Sequence, residues 1–213
     1  MVDSSIDRRT RKRLITRQTI SDTATRLFFE RGFDAVTIDE IAEAADVGRM
    51  TVFNHFPRKE DMFFDREQEI HDVAFEAVQT RDAATSPVEA LGLLAHRLIE
   101  RPHPSFPLFD DTHRFVETAL ASESLKARAR QMRDDFVRAL AAVLADAVDR
   151  PRDDPLAHLA ASLSASVWSI AFTQAHEHFD RARDANEAKQ TFLALIDRGF
   201  VGIKAALADT AYA

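Results

Sequence analysis

Residues 36–60 read VTIDEIAEAADVGRMTVFNHFPRKE, and the pattern within this stretch decides the fold. Apolar residues recur at helical spacing before and after residues 46–48, which predicts two short helices joined by a tight turn. Thr37 and Glu40 have the spacing of a capping box, so the first helix is expected to begin after the threonine. The second helix is predicted over 49–56. Together they predict a helix-turn-helix, the arrangement that places its second helix in the major groove of DNA.

The second helix of this pair has an inward and an outward face. Val47, Val52 and Phe56 are predicted to pack inward against the first helix, and Gly48 is predicted to give the turn its backbone freedom. Side chains on the opposite face are free to reach DNA. They are Arg49, Met50, Thr51, Phe53, Asn54 and His55.

The residue types on the outward face suit the two surfaces of DNA. Arg49 fits the paired acceptors of guanine, and Met50 or Phe53 fits the methyl group of thymine. Thr51 and His55 carry donors for phosphate oxygens, contacts that position a protein on DNA without reading its sequence. A solvated surface position is the alternative for each of them.

Charge is distributed unevenly along the chain. The formal net charge is −7, which by itself does not favour a nucleic-acid partner. Residues 1–17, however, contain six basic and two acidic residues, and the acidic excess lies beyond residue 62. We therefore expect a basic N-terminal arm over 1–13, in which Arg11 and Arg13 contact the minor groove or phosphates. A soluble, disordered tail is the alternative.

The rest of the sequence predicts an all-α protein of about nine helices. Glycine is sparse, alanine, leucine and arginine are frequent, and no segment alternates as a strand would. Ser86-Pro87 and Asp154-Pro155 each place a capping residue before a proline that can open a helix. The other predicted helices cover about 14–31, 59–80, 87–101, 106–121, 123–148, 155–179 and 186–207.

Composition argues against several classes of protein. Cysteine is absent, which excludes disulfides, thiolate metal sites and cysteine nucleophiles. The sequence shows no nucleophile motif, glycine-rich phosphate loop or strong metal-ligand cluster, so we expect no enzyme activity, no cofactor and no metal. The charged N-terminus lacks the apolar segment of a signal peptide, and no apolar run is expected to cross a bilayer. We therefore expect a cytoplasmic protein without a membrane partner.

Seven short motifs between about residues 20 and 62 share one consistent spacing. They are Ala24-x-x-Leu27-Phe28, Gly32-Phe33, Val36-Thr37-Ile38, Glu40-Ile41-Ala42, Ala45-x-Val47-Gly48, Thr51-Val52-Phe53-x-His55-Phe56 and Lys59-Glu60. Together they resemble the signature of the TetR family of transcriptional regulators. The resemblance implies an N-terminal three-helix DNA-binding domain over 14–58, followed by a helical ligand-binding and dimerisation domain over 59–213.

The resemblance also implies roles in DNA binding. Lys59 is expected to meet a backbone phosphate beside the start of the fourth helix, where a helix N-terminus favours an anion. Two positions depart from the family pattern. Phe53 replaces a tyrosine and so lacks its hydroxyl, and Arg58 replaces a small capping residue while adding a cation that can reach phosphate. Thr37 completes the set of predicted DNA contacts.

Regulators of this build need two subunits, because two-fold symmetry places two reading helices about 34 Å apart on the duplex. In the family the last two helices form a four-helix dimer bundle, and the resemblance implies the same here. Apolar and small residues form stripes on these helices, although the same stripes are typical of a monomer core. The predicted interface residues are Ala165, Phe192, Leu195, Ile196, Gly199 and Ile203.

A ligand pocket in the second domain needs an apolar lining with a few polar anchors. Aromatic and histidine side chains are the candidates, and ordinary core packing is the alternative for each. The predicted set is Phe109, His113, Phe136, Trp168, Phe172 and His176. Asp110, His113 and Glu117 share a helical face that could hold a metal, although surface charge pairing explains their spacing as well.

These observations predict a ligand-responsive regulator that binds a palindromic operator as a homodimer and is released by a small apolar or amphipathic effector. A repressor is expected, and an activator of the same fold is the nearest alternative. A small-molecule carrier or an enzyme with an incidental helix-turn-helix is a further alternative, which only the aromatic residues of the second half support.

Overall fold

A computed structural model describes residues 7–101 and 112–213. All regular structure in these two ranges is helical, which confirms the predicted all-α class. Phe109 and Asp110 lie outside the described residues. The helices are α1 (Arg8–Arg31), α2 (Ile38–Ala44), α3 (Arg49–His55), α4 (Glu60–Phe63), α5 (Glu67–Gln79), α6 (Pro87–Glu100), α7 (His113–Ala121), α8 (Glu123–Asp146), α9 (Pro155–Ala182) and α10 (Ala185–Ala206).

The first helix starts earlier than the sequence predicted. α1 begins at Arg8, so residues 8–13, which were assigned to a basic arm, are helical. Arginine and lysine are good helix formers, and no glycine or proline interrupts this segment. The end of α1 is as predicted: Gly32 adopts φ 85° and its amide donates to the carbonyl of Phe28.

One predicted helix is two helices in the structure. The sequence predicts a continuous helix over 59–80, but the backbone leaves helical geometry at Phe64, with φ −102° and ψ 34°. Contacts from α1 account for the break. The hydroxyl of Ser21 lies 3.3 Å from the carbonyl oxygen of Met62 and also bonds the carboxylate of Asp65. Such tertiary bonds leave no trace in helical periodicity, which is why the prediction was wrong here.

The described residues divide into two compact units. The first contains the residues up to Asp65 together with Glu117–Arg128. The second contains the described parts of Arg66–Val116 and Ala129–Ala213. The predicted domains, a DNA-binding domain over 14–58 and a ligand-binding and dimerisation domain over 59–213, were defined by function and have other limits than these compact units. They stay a proposal.

Aromatic rings form the centre of the first unit. The rings of Phe28 and Phe33 lie 4.8 Å apart, and that of Phe63 lies 6.2 Å from each of them. An ion pair between Arg128 and Asp61, with Nε 3.1 Å from Oδ1, ties the segment 117–128 to this unit. Three phenylalanines from α1, the following turn and α4 therefore fix the helices that frame α2 and α3.

The second unit is built on the close packing of α9 against α10. A Cβ added to Gly199 would lie 2.5 Å from Cγ1 of Val167, so α10 approaches α9 more closely there than any side chain would allow. Phe192 and Ile196 are fully buried on the same side of α10. These residues belong to one continuous apolar core that also includes parts of α5, α6 and α8.

The ninth helix corrects one expectation. By length and composition α9 is apolar enough to cross a membrane, whereas the sequence was expected to contain no such segment. A core helix of a soluble protein meets the same two criteria, and 33% of the apolar window of α9 is buried within the chain. Packing against α10 therefore accounts for one side of this helix.

The C-terminal residues close the second unit. Tyr212 is buried and its hydroxyl donates to Oδ2 of Asp154 at 2.8 Å. Burial and the neighbouring carboxylate raise the pKa of Tyr212 to about 12. Oδ1 of the same carboxylate caps α9 by accepting from the amide of Leu156 at 2.9 Å, as the Asp154-Pro155 pair predicted.

Candidate nucleic-acid interface

The turn between α2 and α3 is tight, but its unusual conformation lies at a different residue from the one predicted. Asp46 adopts a left-handed conformation with φ 52°, which aspartate tolerates better than most side chains. Gly48 has an ordinary φ of −72° and is the N-cap of α3. The glycine therefore starts the helix, and the aspartate makes the turn.

The capping box that opens α2 is present as predicted. The backbone amide of Thr37 donates to Oε2 of Glu40 at 2.8 Å, and the amide of Glu40 donates to Oγ1 of Thr37 at 3.3 Å. The bond from the amide of Thr37, that from Arg31 and a further bond from the hydroxyl of Thr37 to the carboxylate lower the pKa of Glu40 to about 2. The hydroxyl of Thr37, a predicted DNA contact, is thus engaged in holding the helix.

The two faces of α3 are divided as the sequence predicted. Val52 and Phe56 are buried, and Val47 is partly buried beside them. On the opposite face Met50 is 69% exposed and Phe53 37% exposed. Arg49 and Asn54 are exposed as well, whereas Thr51 and His55 are partly buried. The exposed face offers a cation, an amide and two apolar side chains for contact with base edges.

Arg49 is held by an acidic residue on α2. Its Nη1 donates to both carboxylate oxygens of Asp39, at 2.6 and 2.8 Å. The guanidinium carbon also lies 5.5 Å from the centre of the Phe53 ring. Because both charged side chains are exposed, this ion pair is weak and open to competition from a stronger partner such as a guanine edge.

His55 lies at the end of α3 beside the first helix. Its backbone carbonyl accepts a bond of 2.6 Å from Nη1 of Arg17, whose guanidinium lies 4.0 Å above the ring of Phe56. Burial lowers the pKa of His55, and the charges of Arg13 and Arg17 lower it further. A neutral imidazole next to two cations can still donate a hydrogen bond to phosphate.

Lys59 points into the first unit. Its Nζ donates to the carbonyl oxygens of Phe33 and Val36, at 2.7 and 2.8 Å, and lies 4.2 Å from the centre of the Phe33 ring. Burial lowers the pKa of this ammonium group. Two of its three N–H groups therefore hold the turn before α2, and the predicted phosphate contact remains a proposal for the third.

The remaining predicted DNA contacts lie on the surface. Arg58 is exposed directly after α3, and Arg11 and Arg13 are exposed on the first turns of α1. Arg13 lies close to His55, together with Arg9, whereas Arg11 projects from a different side of the helix. The structure thus brings Arg13 to the end of α3, which the sequence alone did not reveal.

Comparison with known proteins identifies this arrangement. Residues 20–65 match the family described as bacterial regulatory proteins, tetR family. The N-terminal part of the chain is therefore similar to the regulators of this family. The matched region contains α2, α3, α4 and the second half of α1, and hence every side chain of the exposed α3 face.

Curated relatives of this chain are transcriptional regulators. It is 28% identical over 139 residues to the repressor KstR2 of Mycolicibacterium smegmatis, a match that spans 63% of this chain and 68% of KstR2. It is 32% identical over 83 residues to the regulator TcmR of Streptomyces glaucescens, which spans 39% of this chain and only 37% of TcmR. The match to TcmR thus covers about a third of that protein.

Solved structures share the fold across most of the chain. NalD, the secondary repressor of the MexAB-OprM efflux pump of Pseudomonas aeruginosa, is 17% identical with a TM-score of 0.56, covering 87% of this chain and 97% of NalD. A TetR-family regulator of Mesorhizobium loti is 18% identical with a TM-score of 0.53, covering 90% and 98%. These likenesses show that the second half also has the TetR-family fold.

Three of the predicted effector contacts lie near one another in the second unit. His176 is buried, with Nδ1 2.8 Å from the carbonyl oxygen of Phe172 and Nε2 2.7 Å from Oγ1 of Thr112. Burial lowers the pKa of His176. Nδ1 of His113 pairs with Oδ1 of Asp180 at 2.5 Å, one turn further along α9. Thr112, which the sequence did not single out, is the polar partner of the buried histidine.

The other predicted effector contacts pack elsewhere. The ring of Phe136 stacks on Phe75 at 5.9 Å and lies 4.7 Å from the ring of His71. Trp168 contacts Phe192 edge to face, with ring centres 5.6 Å apart. Ordinary core packing, the alternative to contact with an effector, accounts for these contacts of Phe136 and Trp168.

A surface cleft in the second unit lies between α5 and α6. Its volume is about 460 Å³, and its walls combine apolar and charged side chains. The lining residues are Val73, Glu76, Ala77, Thr80, Leu94, Arg97, Leu98, Glu100 and Arg101. None of the predicted effector contacts that the structure describes is among them. Within 7–101 and 112–213, no three acidic or histidine side chains come together to hold a metal.

Most residues predicted for dimerisation are buried within one chain. Phe192, Ile196 and Ile203 lie in the core of the second unit, as does Ala165. The stripe that they form on α10 packs against α9 of the same chain, which satisfies its apolar surface. Leu195 and Gly199 are partly buried. Contacts within one chain therefore account for the burial of most of these residues.

Proposed function

We propose that this chain represses transcription. Two copies bind a palindromic operator through α3, and a small apolar or amphipathic effector releases them. The proposal rests on the observation that α3 has one exposed and one buried face. Arg49, Met50 and Phe53 project from the exposed face, and Val52 and Phe56 are buried on the other. A fixed helix with outward donors and apolar groups meets the requirement for reading base edges. The match of residues 20–65 to the tetR family and the similarity to the repressor KstR2 support the assignment.

We assign pairing to the outer faces of α9 and α10. Leu156, Leu159, Leu163 and Ile170 follow one another at spacings of three, four and seven residues along α9, as residues on one helix face do, and Ile170 is 57% exposed. On α10, Val201 is 70% exposed. Exposed apolar residues that share a face mark interaction surfaces. A second copy of the same face covers them by two-fold symmetry, in agreement with the four-helix bundle that the family resemblance implies.

We assign the effector to the second unit. His176 and Thr112 form a polar pair inside an apolar core, and the cleft between α5 and α6 combines charged and apolar groups. Both environments suit an amphipathic molecule. The effector has to favour the released state by about 1 to 3 kcal/mol, which weakens DNA binding about 5- to 150-fold.

DNA binding is tested with the purified full chain. Fluorescence anisotropy compares a duplex from the region upstream of its own gene with a duplex of shuffled sequence, at several salt concentrations. We expect tighter binding to the upstream duplex and an affinity that falls linearly with salt on a logarithmic scale, because phosphate contacts release counterions. Equal affinity for the two duplexes would overturn sequence-specific recognition.

Repression itself is tested in cells with a reporter placed behind the same upstream region. Expression is expected to rise when the gene for this chain is deleted, and a fall would show an activator instead. Mass spectrometry of small molecules retained by the purified protein addresses the effector, and an apolar or amphipathic compound is expected. We place the protein in the cytoplasm, where bacterial operator DNA lies.

A further inference from the structure

The beginning of α1 and the end of α3 enclose a cleft on the surface of the first unit. It is lined by Arg9, Thr10, Arg13, Asn54 and His55 and has a volume of about 360 Å³. All five lining residues carry hydrogen-bond donors, and none of them is acidic. A cleft with this composition is complementary to an anion.

The geometry of α1 fixes the two arginines over this cleft. Arg9, Arg13 and Arg17 are four residues apart and so share one face of the helix. Arg17 is anchored by its bond to the carbonyl of His55 and by its stacking on Phe56. Because Arg17 sets the position of α1 beside α3, the two arginines on the preceding turns project toward the end of α3 rather than into free solvent.

Positive charge is concentrated around the cleft. The guanidinium groups of Arg9 and Arg13 line it, and that of Arg17 bonds the backbone carbonyl of His55, a lining residue. Burial lowers the pKa of His55, and repulsion by the charges of Arg13 and Arg17 lowers it further. An anion placed between Arg9 and Arg13 would reduce this repulsion.

We propose that this cleft, called here the arginine cleft, binds a phosphate of the operator backbone at the edge of the groove occupied by α3. The inference rests on the proposed DNA-binding function and adds to it a specific backbone contact. Asn54 belongs both to the cleft and to the exposed face of α3, so a duplex read by α3 carries its backbone past the cleft. Residues 8–13 of the predicted basic arm, which was expected to contact the minor groove or phosphates, reach the cleft as the start of α1.

The cleft also accounts for the phenylalanine at position 53. A tyrosine there would supply a hydroxyl for polar contact with DNA, and Phe53 offers only its ring. Arg9 and Arg13 on α1 supply charge-assisted donors to phosphate beside Asn54 and His55, at the same end of α3 as Phe53. Such contacts position the protein and carry no base preference, so they act alike on operator and non-operator DNA.

The test compares two double variants of the full chain that lose the same charge from the same helix. The cleft variant is Arg9→Gln with Arg13→Gln, and the matched control is Arg8→Gln with Lys12→Gln, whose side chains are exposed on a different side of α1. Affinities for the upstream and shuffled duplexes are measured by anisotropy over a range of salt concentrations. Circular dichroism verifies that both variants keep the helical content of the wild type.

We expect the cleft variant to bind both duplexes about tenfold more weakly, the loss of about one charge-assisted hydrogen bond. The slope of the logarithm of its affinity against the logarithm of the salt concentration is expected to become shallower by about 0.9, which corresponds to the loss of about one phosphate contact. The control is expected to keep the wild-type slope. Equal losses in the two variants would overturn the arginine cleft while leaving DNA binding intact. Failure of the wild type to bind either duplex would instead remove the proposed function.

A second measurement identifies the source of the phosphate. The ring of His55 is titrated by NMR in the free protein, with inorganic phosphate, and with a short duplex. We expect the duplex to raise the pKa of His55 in the wild type but not in the cleft variant. A rise caused by inorganic phosphate and not by the duplex would assign the cleft to a free anion and contradict the proposal.

Discussion

Arg49 and Asp39, ten residues apart, join the starts of α3 and α2 through two bonds from one guanidinium nitrogen, at 2.6 and 2.8 Å. The side chain best suited to reading guanine is therefore paired with a carboxylate in the absence of DNA. Exposed ion pairs of this kind contribute about 0 to 1 kcal/mol. DNA can therefore displace Asp39 from Arg49 at a small cost in free energy. A DNA group that bonds Arg49 less well than the carboxylate does is not expected to displace it.

The first prediction concerns this ion pair. Asp39→Asn is expected to raise the affinity for the shuffled duplex more than for the operator, because Arg49 is then free to bond any phosphate. Anisotropy with both duplexes measures the ratio of affinities. Glu43→Gln, which removes the same charge from an exposed position on α2, is the control. If the two variants change the ratio of affinities equally, the loss of one negative charge explains the effect and the Arg49–Asp39 ion pair does not.

The second prediction concerns Lys59. Lys59→Met is expected to lower the free energy of unfolding of the first unit by about 2 kcal/mol, because the carbonyls of Phe33 and Val36 lose a charged donor. Chemical denaturation followed by circular dichroism measures the loss. Lys12→Met, at an exposed position of α1, is expected to change stability little. Unchanged stability in Lys59→Met would show that its contacts are dispensable.

The third prediction concerns the packing of α9 on α10. Gly199→Ala is expected to cost about 1 to 3 kcal/mol, because the new methyl group meets the stiff, branched side chain of Val167. Gly202→Ala meets no atom within 4 Å and is expected to stabilise the helix slightly. Thermal unfolding measures both changes. Val167→Ala should restore part of the loss in the Gly199→Ala background, and absence of this rescue would contradict the close approach.

The fourth prediction concerns dimerisation. Ile170→Asp and Val201→Asp are each expected to convert dimers to folded monomers, because they place a charge in the proposed interface. The same change at Leu93, an exposed apolar residue on α6, is expected to leave the dimer intact. Sedimentation velocity measures the oligomeric state, and circular dichroism verifies folding. A stable dimer in both α9 and α10 variants would refute the proposed surface.

The fifth prediction concerns pH. Burial lowers the pKa of His55, His71 and His176 below the ordinary value of about 6.5. As the pH falls through that value the unfolded chain takes up protons that the folded chain resists, so stability is expected to decrease with acidification. Glu40, with its pKa of about 2, stays ionised in this window.

Thermal unfolding between about pH 7.5 and 5.5 checks this dependence. His176→Gln, which removes the most deeply buried of the three rings, is expected to flatten the curve. His158→Gln, at an exposed position of α9, serves as the control and should leave the slope unchanged. A melting temperature that rises on acidification would contradict the direction of all three shifts.

The features that the sequence predicted well depend on local chemistry. The capping box at Thr37 and Glu40, the glycine that ends α1 and the proline that opens α9 act over three or four residues, and each is where it was expected. The inward and outward faces of α3 follow from helical periodicity alone. Local spacing therefore sufficed to predict both helices of the helix-turn-helix, although not that Asp46 rather than Gly48 makes the turn.

The features that the sequence did not predict depend on contacts between distant residues. The break after α4 results from Ser21, more than forty residues earlier in the chain. The buried stripe on α10 could equally have faced a partner, and only its packing against α9 decides between the two. Periodicity shows that a helix face is apolar but does not say which surface covers it.

The central claim, that two copies of α3 read a palindromic operator, is tested most directly by selecting bound sequences from a pool of random duplexes with the purified full chain. The account predicts enrichment of two inverted half-sites whose centres lie about one helical turn, or about 10 base pairs, apart or a multiple of that spacing. It also predicts that Arg49→Ala weakens the preference at one position in each half-site. Recovery of no common sequence, or of a single half-site without symmetry, would contradict the account.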